Sequence, residues 1–237
     1  MKNNLSHLRS NLRKKIKPGK KQILEKFFKT GKGQYPEGDI FLGVMVPQTR
    51  EIVKKYKDLN IKHIENLLNS KFHEERLTGL LILVKQFQKA EDKQKKEIYK
   101  FYISHLQAIN NWDLVDLTAP NIVGNYLLNK KRNVLYALAK DKGLWKRRIA
   151  IISTFIFIRQ KDFTDTLKIS ELLLKDKEDL IHKATGWMLR EVGKKDKKAL
   201  TNFLDKHHKK MPRTMLRYSL ERLNKKQKEF YMRKCLK

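Results

Sequence analysis

One position recurs along this chain at steps of 36, 36, 35 and 34 residues, and this repeat constrains the fold more than any other feature. It is occupied in turn by Arg76, Trp112, Arg148, Lys183 and Arg217, each within a helical apolar pattern. A period of this length without a strand signal is typical of stacked helix pairs, in which each pair packs only on its neighbours. The repeat therefore excludes a single globular core built on a sheet.

Helical patterns follow one another in pairs from Pro47 onward, and they are separated by lysine-rich or charged turns. The predicted helices cover 48–58, 60–69, 73–88, 91–107, 112–128, 131–140, 144–160, 164–175, 178–194, 196–207, 212–222 and 225–235, after one or two helices within 5–29. Pro120 lies inside one of them and should kink it. The sequence thus predicts an all-α fold, a right-handed superhelical solenoid of HEAT-like helix pairs, in a single domain over residues 1–237.

Glycine and proline are concentrated near the N-terminal end of this array. Residues 29–50 hold four of the ten glycines and two of the five prolines. We interpret residues 29–44 as an ordered glycine-containing loop, because several of its side chains can pack against the domain. Those side chains are Tyr35, Ile40, Phe41, Leu42 and Val44.

The charge balance indicates a polyanionic partner. The 55 basic and 25 acidic residues give a formal net charge of +30. Neutralising phosphates releases their counterions and drives association, so this excess favours nucleic acid. The alternatives are a lysine bias that reflects AT-rich coding and binding to an anionic membrane surface. Against the membrane, the chain shows no amphipathic anchor and no lipidation motif. We expect binding to nucleic acid and not to a membrane.

Several other classes of site lack support in the sequence. The single cysteine, Cys235, permits no disulfide within the chain, which fits a reducing cytoplasm. The most apolar stretch, 149–158, is too short to span a bilayer. The seven histidines lack metal-ligand spacing, and the glycines of residues 31–38 follow no strand and precede no Walker lysine–serine pair. Neither a metal nor a cofactor is expected.

A common face follows from the repeat, because residues i and i+4 share one side of a helix. This face carries Trp112 with Asp116, Arg148, Lys183 with Trp187, and Arg217 with Glu221. Asp116 is either an ion-pair partner or a group that stabilises developing positive charge. Trp112 and Trp187 are either core residues or surfaces on which a sugar or base packs. Trp145 is expected in the core, and Asp113, about 100° round the helix from its neighbour, should cap the helix or face a loop.

The same face carries a row of cations. Arg148 either forks onto a phosphate or forms a salt bridge between repeats. Four further cations extend the row. Each of them alone is typical of a solvated surface charge, but together they could bind along a nucleic-acid backbone. They are Lys183, Arg190, Lys194 and Arg217.

Four motifs along the chain resemble the AlkD-like DNA alkylation repair family, bacterial glycosylases built from HEAT-like repeats. They are FLGVMVPQTR (41–50), NNWDLVD (110–116), LWKRRIAI (144–151) and KATGWMLREVGKK (183–195). The resemblance spans most of the chain. It implies a catalytic role for Asp116, with Trp112 and Trp187 beside it. It also implies that Arg148, the helix arginine, and the row of cations hold the phosphates of double-stranded DNA around an alkylated base.

The resemblance also implies a reaction. Family members excise cationic N3- and N7-alkylated purines by hydrolysing the N-glycosidic bond, and they are thought to do so without flipping the base into a pocket. We therefore expect a monofunctional DNA glycosylase of base excision repair that acts as a monomer. A non-catalytic HEAT-repeat protein that binds damaged or branched DNA, and an RNA-binding or protein scaffold, are the alternatives.

Overall fold

The computed structural model describes residues 4–233, and within that range all regular structure is helical. The α-helices are α1 (Leu5–Arg13), α2 (Lys20–Phe28), α3 (Val46–Lys55), α4 (Ile61–Leu68), α5 (His73–Lys89), α6 (Asp92–Ser104), α7 (Trp112–Ala119), α8 (Asn125–Leu127), α9 (Asn133–Ala139), α10 (Leu144–Ser153), α11 (Phe155–Arg159), α12 (Thr164–Leu172), α13 (Asp179–Lys195), α14 (Lys197–His207), α15 (Arg213–Leu220) and α16 (Lys225–Met232). An isolated bridge between Ile40 and Phe72 adds the one strand-like contact recorded in this range. The all-α class is confirmed for the described residues, and the superhelical path of the helix pairs stays a prediction.

The chain divides into two compact units, Met1–Thr118 and Ala119–Lys237. The single domain predicted over the whole chain stays a prediction. No helix within residues 4–233 is both long and apolar enough to cross a membrane. Cys235 lies outside the described residues.

The first unit is built around α5. Residues 77–84 of this helix are apolar or small on every side, and all of them are buried. A helix that is apolar all round must be enclosed by neighbours. Helices α3, α4 and α6 supply that cover, and Gly79 lets the side chain of Leu67 in α4 approach closely.

The second unit is built around α13, which packs on α10, α14 and α15. Helices α13 and α15 approach closely at Gly186. A Cβ atom there would lie 2.5 Å from the carbonyl oxygen of Met215 and 2.6 Å from the Cβ of Tyr218. The absence of a side chain at Gly186 thus lets α13 and α15 pack at a distance that no larger residue permits.

A π-helical turn lies where the sequence predicted a kink at Pro120. Residues Pro120–Gly124 form this turn between α7 and α8. A proline has no backbone N–H to continue the α-helical hydrogen bonds, so the chain widens by one residue at this point. The helix that carries Trp112 and Asp116 consequently ends at Ala119.

Candidate functional site

The site in the first unit is organised by four consecutive charged residues at the start of α5. His73, Glu74, Glu75 and Arg76 are each at most 5% exposed. Charged groups are costly to bury unless they are paired and hydrogen-bonded, so each must find partners within the unit. The repeat singled out Arg76 but not the other three residues. The apolar run at 77–84 was the sequence signal for their burial, because a helix that is enclosed by neighbours also has its first turn buried.

Glu74 holds the loop between α2 and α3. Its carboxylate accepts hydrogen bonds from the backbone N–H groups of Leu42 (2.8 Å), Gly43 (2.8 Å) and Val44 (3.0 Å). Gly43 has a positive φ of 95°, and a Cβ atom there would lie 3.0 Å from the backbone nitrogen of Lys21 in α2. Three charge-assisted hydrogen bonds and this close passage fix residues 42–44, at the end of the glycine-containing loop.

His73 joins the loop, α5 and α7. Its Nδ1 lies 2.9 Å from Oδ2 of Asp39 in the loop, and its Nε2 lies 2.9 Å from Oδ2 of Asp113 in α7. Burial by itself would lower the pKa of this imidazole, but the adjacent carboxylates of Asp113 and Asp39 outweigh burial and raise the pKa to about 9. His73 is therefore an imidazolium at neutral pH, with both ring nitrogens donating.

Arg76 completes this network from the next turn of α5. Its guanidinium donates to Oδ1 of Asp39 at 2.5 Å, to Oδ1 of Asn110 at 2.9 Å and to the carbonyl of Ser70 at 2.9 Å. Burial would raise the pKa of Asp39, yet the hydrogen bond with His73 and the charge of Arg76 hold that pKa below its usual value. Arg76, the first residue of the repeat, thus has a structural role.

Asp113 bonds to the first turn of α7 and does not face a loop, so of the two alternatives expected for this residue only the loop is wrong. One carboxylate oxygen accepts from the N–H of Leu114 at 2.9 Å, in the first turn of α7, while the other is buried against His73. The side chain turns inward because an imidazolium in α5 is its partner. The start of α7 is thereby fixed to α5 by an ion pair.

Four rings form a column beside this network. Trp112 stacks on Phe28 (centroids 5.1 Å apart, planes at 25°), Phe28 on Phe41 (4.9 Å, 16°) and Phe41 on His73 (4.3 Å, 22°). We call this set the aromatic column. It fixes the orientation of the Trp112 indole, because one face of that ring is packed against Phe28.

A cavity of about 310 Å³, here called the aromatic pocket, opens next to the column. Its lining combines the aromatic column with apolar residues of α2, α3 and α5 and with carboxylates. The lining residues are Leu24, Phe27, Phe28, Phe41, Val44, Met45, Val46, His73, Glu74, Leu77, Trp112, Asp113, Asp116 and Leu117. Asp116, one turn after Trp112 on α7 and partly buried, thus shares a pocket with that indole.

Trp187 lies in the second unit, on α13, and has an acidic neighbour that sequence analysis missed. Its indole Nε1 donates to Oε1 of Glu191 at 3.1 Å, and Lys194 donates to the same oxygen at 2.7 Å. The ring of Phe155 lies 6.2 Å away. Glu191 is therefore an acid on the predicted face in addition to Asp116 and Glu221. Trp145, expected in the core, is only partly buried.

The cations of the predicted row differ in exposure and partners. Arg148 in α10 is only 5% exposed and donates to the carbonyl of Leu180 in α13 at 2.6 Å. Lys183 pairs with Asp179 at 2.7 Å. Arg190 pairs with Glu221, and its Nε lies 3.5 Å from Oε1 of Glu191. Arg217 is exposed. The burial of Arg148 favours the alternative in which it joins neighbouring repeats.

Comparison with known proteins places the chain in a class of DNA repair proteins. The family model for DNA alkylation repair enzymes matches residues 8–223, so the chain belongs to that family. A solved protein of Enterococcus faecalis, described as a predicted DNA alkylation repair enzyme, is similar over 89% of this chain and 98% of its own, with a TM-score of 0.69 and 15% identity. That likeness shows the fold. None of the curated proteins matches the chain. The resemblance inferred from the sequence is confirmed, and family membership supports a role in DNA alkylation repair.

The buried imidazolium makes the stability of the first unit depend on pH. The folded-state pKa of His73, about 9, lies above its ordinary value of 6.5. The stabilisation is therefore complete below pH 6.5 and is lost as the pH rises to about 9. We expect the free energy of unfolding to fall by on the order of 3 kcal/mol across this range. Urea denaturation at several pH values between 6.5 and 9 would measure this loss.

His73→Gln should flatten this pH dependence, whereas His7→Gln, at an exposed histidine of α1, should leave it unchanged. An equally steep decline in His73→Gln would show that another group is responsible.

Proposed function

We propose that this protein is a monofunctional DNA glycosylase that excises cationic N3- and N7-alkylated purines. The observation that carries the proposal is the partly buried Asp116 in a pocket shared with Trp112, within a chain of net charge +30. Binding to phosphates alone requires cations and makes no use of a carboxylate in an aromatic pocket.

The chemistry suits these groups. An alkylated purine already carries positive charge, so no general acid is needed to protonate the leaving group. When the bond from C1′ to the purine nitrogen breaks, its electron pair neutralises the base, and the deoxyribose becomes an oxocarbenium-like cation. Water then adds to C1′ and loses a proton. Asp116 stabilises the cation and orients the water, an effect that is strong in a partly desolvated pocket.

The indoles support the same charge. Trp112 is held by its stacking on Phe28, so its position costs no reordering when the sugar becomes cationic. Aromatic faces attract nearby cations electrostatically. Trp187, on α13 of the second unit, is a second indole with the same capacity, and the hydrogen bond to Glu191 orients its ring.

Phosphate binding is assigned to the cations of the second unit that reach solvent. These are Lys183, Lys194 and Arg217, with Arg190 beside them. Lysine and arginine contacts of this kind position a duplex without reading its sequence. We assign Arg148 instead to the link between α10 and α13, because its guanidinium is buried on the Leu180 carbonyl.

A second candidate function is DNA binding without excision, of damaged or branched forms. The net charge of +30 favours it as much as it favours an enzyme. The two candidates differ in whether Asp116 is needed.

Asp116→Asn should abolish excision while leaving the affinity for undamaged duplex unchanged or slightly higher. A carboxylate that acts only in the transition state contributes roughly 3 kcal/mol, so we expect a loss of about 100-fold or more in rate. Trp187→Ala should cost less, about 1 to 2 kcal/mol. The measurement is the single-turnover rate on duplex DNA containing 7-methylguanine, with binding measured in parallel.

The matched control is Asp92→Asn, which makes the same change of charge at a side chain that is 97% exposed, on α6. It should keep the full rate. If Asp116→Asn also keeps the full rate, Asp116 is a structural ion-pair partner and the binding-only function gains.

The salt dependence of duplex binding separates structural from phosphate-binding arginines. Arg217→Ala should lower the slope of log K against log salt by about one unit, because each phosphate contact contributes roughly 0.9. Arg148→Ala should keep the slope and instead destabilise the fold by about 1 to 3 kcal/mol, since the Leu180 carbonyl loses a charged donor. A slope lowered by Arg148→Ala and not by Arg217→Ala would reverse these two assignments.

A further inference from the structure

A second cavity in the first unit lies at the opposite end of α5 from the aromatic pocket. Its volume is about 490 Å³, and it lies between the turn that joins α3 to α4, the last turns of α5 and helix α6. We call it the lysine-rimmed pocket. On α5 it begins at Lys85, about 18 Å along the helix from His73, and it shares no lining residue with the aromatic pocket. We propose that it binds a nucleoside monophosphate, a function separate from base excision.

One wall of the lysine-rimmed pocket is held in place by a side chain of α5. The amide nitrogen of Gln86 donates to the carbonyl oxygen of Lys57 at 2.9 Å and to that of Leu59 at 2.8 Å. These two bonds fix the turn between α3 and α4 against α5. Ile61, the first residue of α4, follows this turn, lines the cavity and is 44% exposed. The wall thus combines an immobilised backbone with an apolar side chain that is open to solvent.

The opposite wall is aromatic and apolar. Ile98 and Phe101 of α6 line it, and the ring of Phe101 stacks on His105 with centroids 4.0 Å apart and planes at 28°. The imidazole is held in turn, because its Nδ1 lies 2.8 Å from the carbonyl oxygen of Phe101. A cavity of this volume is in the range of small-molecule sites. An aromatic ring of fixed orientation, with isoleucines beside it, is a surface on which a flat base packs.

Three exposed lysines give the cavity its positive charge. Lys57, Lys85 and Lys89 all line it, and none of them forms an ion pair within residues 4–233. The side chain of Lys85 donates to Oε1 of Gln88 at 3.1 Å, which is a contact with a neutral group. Three ammonium groups that neutralise no carboxylate of the fold attract an anion, and a phosphate with its several oxygens can accept from all of them.

The lining also supplies acceptors. Asp58 and Glu97 are exposed carboxylates on it, and an ionised carboxylate accepts hydrogen bonds from hydroxyl and amino groups. A sugar and a base carry such donors. Inorganic phosphate alone would use neither these acceptors nor the aromatic wall, and an uncharged nucleoside would not use the lysines. The combination favours ring, sugar and phosphate within one ligand. A free nucleotide and the 5′-phosphorylated end of a nucleic-acid strand both present this chemistry.

Binding of adenosine 5′-monophosphate to the full chain tests the proposal, with isoleucine methyl NMR to locate the ligand. We expect the methyl resonances of Ile61 and Ile98 to shift, with a Kd below about 1 mM. The resonance of Ile23, which is 56% exposed on α2, should stay in place. Adenosine and ribose 5-phosphate should each bind at least about tenfold more weakly, because each lacks one of the two groups that the pocket recognises.

Two variants remove the site in different ways. Lys85→Gln combined with Lys89→Gln should weaken binding of adenosine 5′-monophosphate at least about tenfold, since two charged donors are lost. Gln94→Trp, at an exposed lining position of α6, should fill the cavity and weaken binding by a similar factor. The matched control is Lys93→Gln combined with Lys96→Gln, at exposed lysines of α6 outside the lining, which should bind as the unaltered chain does. Thermal unfolding of each variant verifies that the fold is retained.

A second probe separates a free nucleotide from a strand end. A short single-stranded oligonucleotide with a 5′ phosphate is compared with the same oligonucleotide without it. Shifts of Ile61 and Ile98 that require the 5′ phosphate would assign the pocket to strand ends. Shifts with adenosine 5′-monophosphate and with neither oligonucleotide would assign it to free nucleotides.

Three results would overturn the proposal. Ribose 5-phosphate that binds as tightly as adenosine 5′-monophosphate would reduce the site to a surface for anions. Resonances of Ile61 and Ile98 that stay in place at millimolar nucleotide, or nucleotide binding that Gln94→Trp leaves intact, would exclude the lysine-rimmed pocket. Release of 7-methylguanine should be unchanged in Gln94→Trp, so a failure of this site and a failure of the glycosylase are observed separately.

Discussion

The first unit depends on one buried imidazolium. His73 sits between Asp39 of the loop and Asp113 of α7, with 2.9 Å to each carboxylate. Loss of the imidazolium would leave Asp113 without a charged partner and Asp39 with Arg76 alone. A buried carboxylate that loses its charged partner costs several kcal/mol, so both elements would loosen at once. Because Asp113 and Asp116 share a helix, the ion pair that fixes the first also sets the position of the second. The geometry of the candidate site therefore follows from charges at the start of α5.

Burial separates structural from functional charge in this basic protein. In the second unit, Arg132 donates to Asp162 and Asp165 at 2.6 Å each and lies 3.7 Å above the ring of Phe157. Arg148 similarly holds α13 through a backbone carbonyl. The arginines whose guanidinium groups are bonded inside the unit join helices, whereas cations such as Arg217 are exposed to solvent. A net charge of +30 thus overstates the number of groups that can contact DNA.

Helical periodicity predicted the all-α class and several helix bounds closely. The helices expected at 73–88 and 178–194 were found at His73–Lys89 and Asp179–Lys195, and a π-helical turn lies where a kink was expected at Pro120. Local spacing also placed Trp112 and Asp116 on one helix. It could not show that Asp113 turns inward or that Arg148 is buried, because those outcomes depend on partners distant in the chain, His73 and Leu180. The aromatic pocket was equally hidden, since its walls come from four separate segments.

The central claim is that the protein removes bases that are already cationic. Its most direct test is to identify the bases that the unaltered protein releases from two duplexes, one methylated and one carrying uracil and hypoxanthine. We predict release of 7-methylguanine and 3-methyladenine and no release of uracil or hypoxanthine, because in the proposed mechanism Asp116 stabilises a cationic sugar and does not protonate a neutral leaving group. Release of uracil at a comparable rate, or no release of either methylated purine, would contradict the account.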